Sequence, residues 1–222
     1  MSQELWNSVD AYVNDVVVRQ DAMLAEALAA SDAAGLPRIS VSPSQGKLLH
    51  LLARAIGARN ILELGTLGGY STIWLARALT EGGRLVTVEV DPKHAAVAGK
   101  NIARAGLTSL VDLRVGRALD VLPQIAAEGR GPFDLVFIDA DKAGTPDYFA
   151  WALRLARLGS VVIVDNVIRK GAVIDAASAD ASVEGVRRLN ELIATEPRVS
   201  ATTIQTVGMK GYDGFTLALV VA

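Results

Sequence analysis

Apolar residues fall into two rhythms along this chain, and the change from one to the other divides it. Leu5, Val9, Tyr12, Val13, Val16 and Val17 recur at helical spacing, and the pattern continues from Met23 to Ala30. Pro43, suited to a first helical turn, opens a further helix carrying Leu48, Leu49, Leu51 and Leu52. The stretch 31–42, with Gly35 and Pro37, is the one weak seam; it separates a helical extension (1–42) from a core (43–222). From Asn60 onward the rhythm changes. Short β-rich runs at 60–64, 84–90, 111–115, 133–138 and 160–164 alternate with Ala- and Leu-rich helical stretches at 71–79, 93–105, 119–127 and 146–158. Strands that read as unbroken apolar runs with helices between them predict a parallel sheet covered on both faces. Right-handed crossovers then make the fold a doubly wound α/β sheet. The tail differs. After a helix at 182–194, runs at 201–206 and 215–221 are separated by only 207–214, too short for a parallel crossover, which predicts an antiparallel hairpin at the sheet edge.

Composition narrows the chemistry. With 222 residues, 51% hydrophobic and 21% charged, the chain can bury a full core, and one domain spanning 1–222 is expected. Cysteine is absent, which removes disulfides, thiolate metal sites, iron–sulfur clusters and cysteine nucleophiles together. Twenty-two basic against 24 acidic side chains give no field to attract nucleic acid or an anionic membrane. Glu4, Asp10 and Asp15 precede any basic residue, the wrong polarity for a signal or transit peptide. No apolar run approaches the ~20 residues that span a bilayer. A cytoplasmic globular protein acting on a small molecule is the expectation.

In an open α/β sheet, ligands bind beyond the carboxyl ends of the strands, so the residues that end each strand are the candidates. The first ends in Glu63-Leu64-Gly65-Thr66-Leu67-Gly68-Gly69-Tyr70-Ser71, where glycines allow a tight turn and close approach of a ligand. Leu67 stands where the dinucleotide fingerprint needs its second glycine, so the loop is either a nucleoside contact or a plain strand-to-helix turn. The second strand presents Glu89, 24 residues after Gly65, about where a carboxylate accepts ribose hydroxyls. Asp91 before Pro92 reads as an N-cap. The fourth strand ends Asp139-Ala140-Asp141-Lys142 and the fifth Asp165-Asn166. Two carboxylates aimed at one crevice raise each other's pKa unless a cation sits between them. Asp139, Asp165 and the Asn166 amide oxygen make a hard oxygen set that suits Mg²⁺ or Ca²⁺. Ordinary helix N-capping is the competing account. Lys142 is either a base near that cation or a solvated loop lysine paired with Asp141.

Together, ELGTLGGYSTIWLARAL (63–79), VTVEVD (86–91), FDLVFIDADK (133–142) and VIVDNVIRKG (162–171) resemble the cation-dependent class I O-methyltransferases, the group of the catechol and caffeoyl-CoA enzymes. The similarity runs from about Ser40 to the closing YDGFTLALV, and the pairing of DADK with DN is its most specific element. The resemblance implies a Rossmann-like methyltransferase fold, a mostly parallel seven-stranded sheet with one antiparallel edge strand. It implies S-adenosylmethionine bound by Val41, Glu63, Gly65, Ser71, Glu89, Ala118 and Asp139. It further implies a divalent cation (Mg²⁺, or Ca²⁺ or Mn²⁺) on Asp139, Asp165 and Asn166, Lys142 as base near the accepting hydroxyl, a catechol-like acceptor and a homodimer. This chain departs in two places. Arg169 stands where plant members carry an aromatic residue shortly after the DN pair. Near 209–213 there is no clear counterpart of the acid that anchors the second hydroxyl in the animal enzyme.

Two other classes share these features: a nucleoside-dependent oxidoreductase, disfavoured by the missing glycine, and a non-catalytic binding protein, which needs no metal triad. Trp6, Trp74 and Trp151 read as packing or interface residues, and His50 and His94 as helix-surface or core residues. The stretch 5–30 is open to three roles: covering the cofactor, lining the acceptor pocket, or building a dimer.

Overall fold

The computed structural model describes residues 2–222. Seven strands, β1 (Asn60–Leu64), β2 (Arg84–Glu89), β3 (Val111–Val115), β4 (Phe133–Ile138), β5 (Ala156–Asp165), β6 (Val199–Gly208) and β7 (Gly211–Val220), form one sheet in the order β3-β2-β1-β4-β5-β7-β6. The first five run parallel, and β7 is antiparallel to both β5 and β6. The predicted hairpin therefore closes the sheet, with the reversed strand β7 one place in from the rim and β6 outermost. Strand order reverses between β1 and β4, so the crevice of a doubly wound sheet opens above those two strands.

Alternation along the strands sends side chains into two layers. Leu62, Leu64, Val86, Val88, Val136, Ile138, Val162 and Val164 pack on one face, under α6 (Ala118–Ala127), α7 (Thr145–Leu155) and α8 (Ala181–Thr195). Ile61, Leu85, Leu135, Phe137 and Ile163 pack on the other, under α3 (Pro43–Ala55), α4 (Tyr70–Ala76) and α5 (Pro92–Arg104). Helix starts follow their caps: Ser42 accepts from the Gln45 N–H with Pro43 in the first turn, and Asp91 accepts from Lys93 and His94 with Pro92 in the first turn.

Among the boundaries that differ from expectation, two do so for tertiary reasons plain in the contacts. The helix predicted to run to residue 158 stops at Leu155, because Ala156 pairs with Phe133 and the Arg157 guanidinium bonds Asp134 (Nε 2.9 Å, Nη2 2.5 Å), drawing the chain into β5. The 207–214 connector is mostly strand: the ladder continues to Gly208–Gly211, so polar residues that read as a loop lie in an exposed two-stranded extension.

The N-terminal extension splits its duties. Helix α2 (Ala22–Ala33) lies behind the glycine loop, where the Asn101 amide donates to Ala27 O (3.2 Å) and Gly68 O (2.9 Å), and the Tyr70 hydroxyl reaches Gln20 (2.8 Å). Helix α1 (Gln3–Val13) buries no residue fully and meets the far end of β6, with Gln3 donating to Gly208 O and Asp10 accepting from the Met209 N–H. Among the described residues, no helix is long and apolar enough to cross a membrane.

Candidate active site

A cleft of about 710 Å³ opens where the crevice was expected, at the carboxyl ends of β1, β2, β4 and β5. Val41, Gly65, Ser71, Glu89, Ala118, Asp139, Lys142 and Asn166 line it. Glu63 and Asp165 do not; they lie buried behind its wall.

The glycine loop can turn here because Gly65 adopts φ +97° and passes so close to β4 that a Cβ would stand 2.2 Å from Asp139 O. Glu89 then fixes the loop. Its Oε2 accepts from the Thr66 and Leu67 N–H groups (3.1 and 2.7 Å) and its Oε1 from Asp91 N–H (2.9 Å). His94 brings Nδ1 to 3.6 Å from the same carboxylate and lines the cleft, so it is neither the core nor the plain surface residue that its helical position implied.

Glu63 departs from the expected cofactor contact. Strand alternation turns it to the same side as Ile61, under α4, where its carboxylate accepts from Ser71 (2.6 Å), Thr72 (2.5 Å) and Thr87 (2.7 Å). Full burial pushes its pKa up to about 7 despite those three donors. Its effect on the cleft passes through Ser71, which it orients.

Asp139 and Asp165 follow paired residues, Ile138 and Val164, on adjacent parallel strands, so the two carboxyls leave the sheet side by side. Lys142, itself buried, donates to Asp139 Oδ1 at 2.8 Å, and not to Asp141. Asp141 instead receives the Tyr148 hydroxyl and the Gly144 N–H (2.9 Å), which folds the loop back. Burial, and then the charge of Asp139, hold Asp165 above the usual carboxylate range. A cation between the two acids would reverse that shift. Asn166 takes a left-handed φ of 57° and aims into the cleft beside them. Asp139 on the cleft wall, Asp165 just behind it and the Asn166 amide that follows are hard oxygen donors, the kind that a divalent ion such as Mg²⁺ takes.

The structure also places residues that strand-end reasoning did not single out: Ile39 and Ser40 from the seam, Arg117 after β3, and Tyr148 on α7. Asp213 acquires a role as well. Its Oδ1 accepts from the N–H groups of Ile168, Arg169 and Gly214 (2.9, 3.1 and 3.0 Å), clamping the loop that carries Asn166.

Residues 14–221 match the O-methyltransferase family. The chain belongs to that family. Among its fellow O-methyltransferases, the catechol O-methyltransferase of Niastella koreensis is 55% identical over 220 residues, covering 99% of this chain and all of the relative. The O-methyltransferase from Bacillus cereus, solved in complex with SAH, superposes with a TM-score of 0.97 at 58% identity over 99% of this chain and 100% of its own. TomG from Streptomyces achromogenes, involved in tomaymycin synthesis and solved in complex with SAM, gives 0.97 at 55% identity over the full length of both chains. The match embraces the α2 cover, the cleft and the closing hairpin of this O-methyltransferase, not the glycine loop alone.

Proposed function

We propose that this O-methyltransferase moves the methyl group of S-adenosylmethionine to one hydroxyl of a vicinal dihydroxy aromatic, with a divalent cation, Mg²⁺ in the first instance, held by Asp139, Asp165 and Asn166. The observation that carries the reading is a buried lysine paired with Asp139 on the wall of a nucleoside-sized cleft, with Asn166 on the same wall and the buried Asp165 leaving the adjacent strand behind it. A relative named catechol O-methyltransferase, and O-methyltransferases of like structure solved with SAM or SAH, support it.

In the reaction a C–O bond forms as the S–C bond breaks, and a cation and a phenolate become neutral, so positioning and deprotonation are the protein's tasks. Gly65 lets the donor lie against the strand end, Ser71 and Val41 flank its methionine end, Glu89 takes the ribose hydroxyls, and Ala118 lies by the adenine. When bound, the divalent ion offsets the two carboxylates and favours the ionised form of the acceptor's paired oxygens. Lys142 Nζ donates to Asp139 at 2.8 Å; with the cation rather than the ammonium offsetting that carboxylate, the neutral amine of Lys142 would take the hydroxyl proton and become the ammonium. The test is transfer of labelled methyl to catechol. A chelator should abolish turnover and added Mg²⁺ restore it, and Asp139→Ala should lose about a hundredfold or more. Lys142→Ala should lower kcat by about 10²-fold or more with little change in donor affinity. Full turnover in metal-stripped protein defeats the reading.

We further infer a homodimer. Leu5, Val9 and Tyr12 of α1 are half or more exposed, and the neighbouring β6 (VSATTIQTVG) is an uncharged ten-residue rim strand. A rim with no lysine or proline guarding it pairs readily with a copy of itself.

A further inference from the structure

Arg169 is a half-buried arginine of the cleft wall with a buried N–H and no counter-ion among the described residues. It stands three residues past Asn166, on a loop whose course is fixed by Asp213 and by its own left-handed φ of 54°. The side chain lines the cleft, yet its Nε is buried and meets no acceptor. Among the described residues it enters no ion pair. The lining carboxylates are already engaged: Asp139 with Lys142, Asp141 with Tyr148, and Glu89 with three backbone N–H groups. Arg117, the other arginine of the cleft, is exposed and lies beside Ala118, at the end assigned to adenine. Lys210 adds positive charge over the opposite end: it lies in the field of Asp139, and its Nζ donates to Arg38 O at 2.9 Å and to no carboxylate.

An enclosed guanidinium N–H without an acceptor costs free energy, and a carboxylate repairs that loss with paired, charge-assisted bonds. We propose that Arg169 receives a carboxylate carried on the ring of the methyl acceptor, so that the enzyme selects acidic catechols over neutral or cationic ones. The inference rests on the methyl-transfer reading above. The alternative source of the same chemistry is the α-carboxylate of the donor.

The test compares 3,4-dihydroxybenzoate, 3,4-dihydroxybenzamide and 3,4-dihydroxybenzylamine with Mg²⁺ and S-adenosylmethionine, in wild type, Arg169→Gln and Arg169→Lys. Wild type should favour the benzoate over the benzamide by about tenfold or more in kcat/KM, with the amine last. The ratio should fall to about one in Arg169→Gln and lie between in Arg169→Lys, which keeps the charge but loses the fork. A flat wild-type ratio, or one that survives Arg169→Gln, overturns the proposal. So does a weakened affinity for S-adenosylhomocysteine in Arg169→Gln with the ratio intact, which would assign the arginine to the donor. If none of the three is methylated, the methyl-transfer reading fails on its own. Calorimetric titration of benzoate and benzamide into Mg²⁺-loaded protein still reads whether Arg169 discriminates between them.

Discussion

Glu63 shows how one side chain can matter to a cleft it does not enter. Removed from water and given three hydroxyl donors, it has a pKa of about 7 in the folded protein against an ordinary 4.5. An acid whose folded pKa lies above its unfolded value binds more protons when folded. Its favourable contribution is complete below about pH 4.5 and is lost as pH rises through 7. The span amounts to roughly 3 kcal/mol at 1.36 kcal/mol per unit. Thermal melts from pH 5 to 8 should show wild type losing stability across this window more steeply than Glu63→Gln, which does not titrate. Identical slopes would place the shift elsewhere. Because Ser71 takes its orientation from this carboxylate, Glu63→Gln should also weaken donor binding, read by titration with S-adenosylmethionine.

At the scale of elements, the decisive piece is the loop that leaves β5. Asn166, Arg169 and Lys170 all adopt left-handed backbone, with φ of 57°, 54° and 56°. Such conformations persist only where neighbours enforce them. The enforcement comes from the neighbouring strand, where Asp213 on β7 accepts three N–H groups, two of them from this loop. Asp213→Ala should cost about 1–3 kcal/mol and speed hydrogen exchange across 166–170. It should also raise the Mg²⁺ concentration needed for half-maximal activity, while Asp213→Asn, which keeps an acceptor oxygen, should recover part of each. Unchanged metal dependence in Asp213→Ala would leave the clamp a matter of stability alone.

For the whole molecule, the unguarded rim makes association the testable property. Sedimentation at micromolar concentration should give twice the chain mass. Thr202→Lys, which sets a charge in the middle of β6, should shift the population toward single chains. A wild-type protein that sediments at one chain mass would dispose of the dimer. The N-terminal extension divides by the same logic. Its α2 half is committed to holding the glycine loop, whereas α1 leaves its apolar stripe exposed.

How much of this was legible beforehand follows from the range of the forces involved. Strands β1, β3 and β4 and the capped starts of α3 and α5 depend on alternation and on local hydrogen bonds, so the sequence carried them to the residue. Position at a strand end was enough to pick out Gly65, Ser71, Glu89, Asp139, Lys142 and Asn166, because an α/β sheet delivers such residues to one edge, whereas Val41 and Ala118 came only with the family resemblance. What sequence could not hold are contacts made across tens of residues: Arg157 drawing β5 out of a helix, Asp213 bracing a loop some 45 positions away, and Lys142 choosing Asp139 over its neighbour Asp141. Nor could it show that Glu63 turns inward while Arg169 is left facing the cleft without an acceptor. Local patterning fixes which residues arrive at the crevice; only the packed sheet decides which of them are already satisfied there and which still need a ligand.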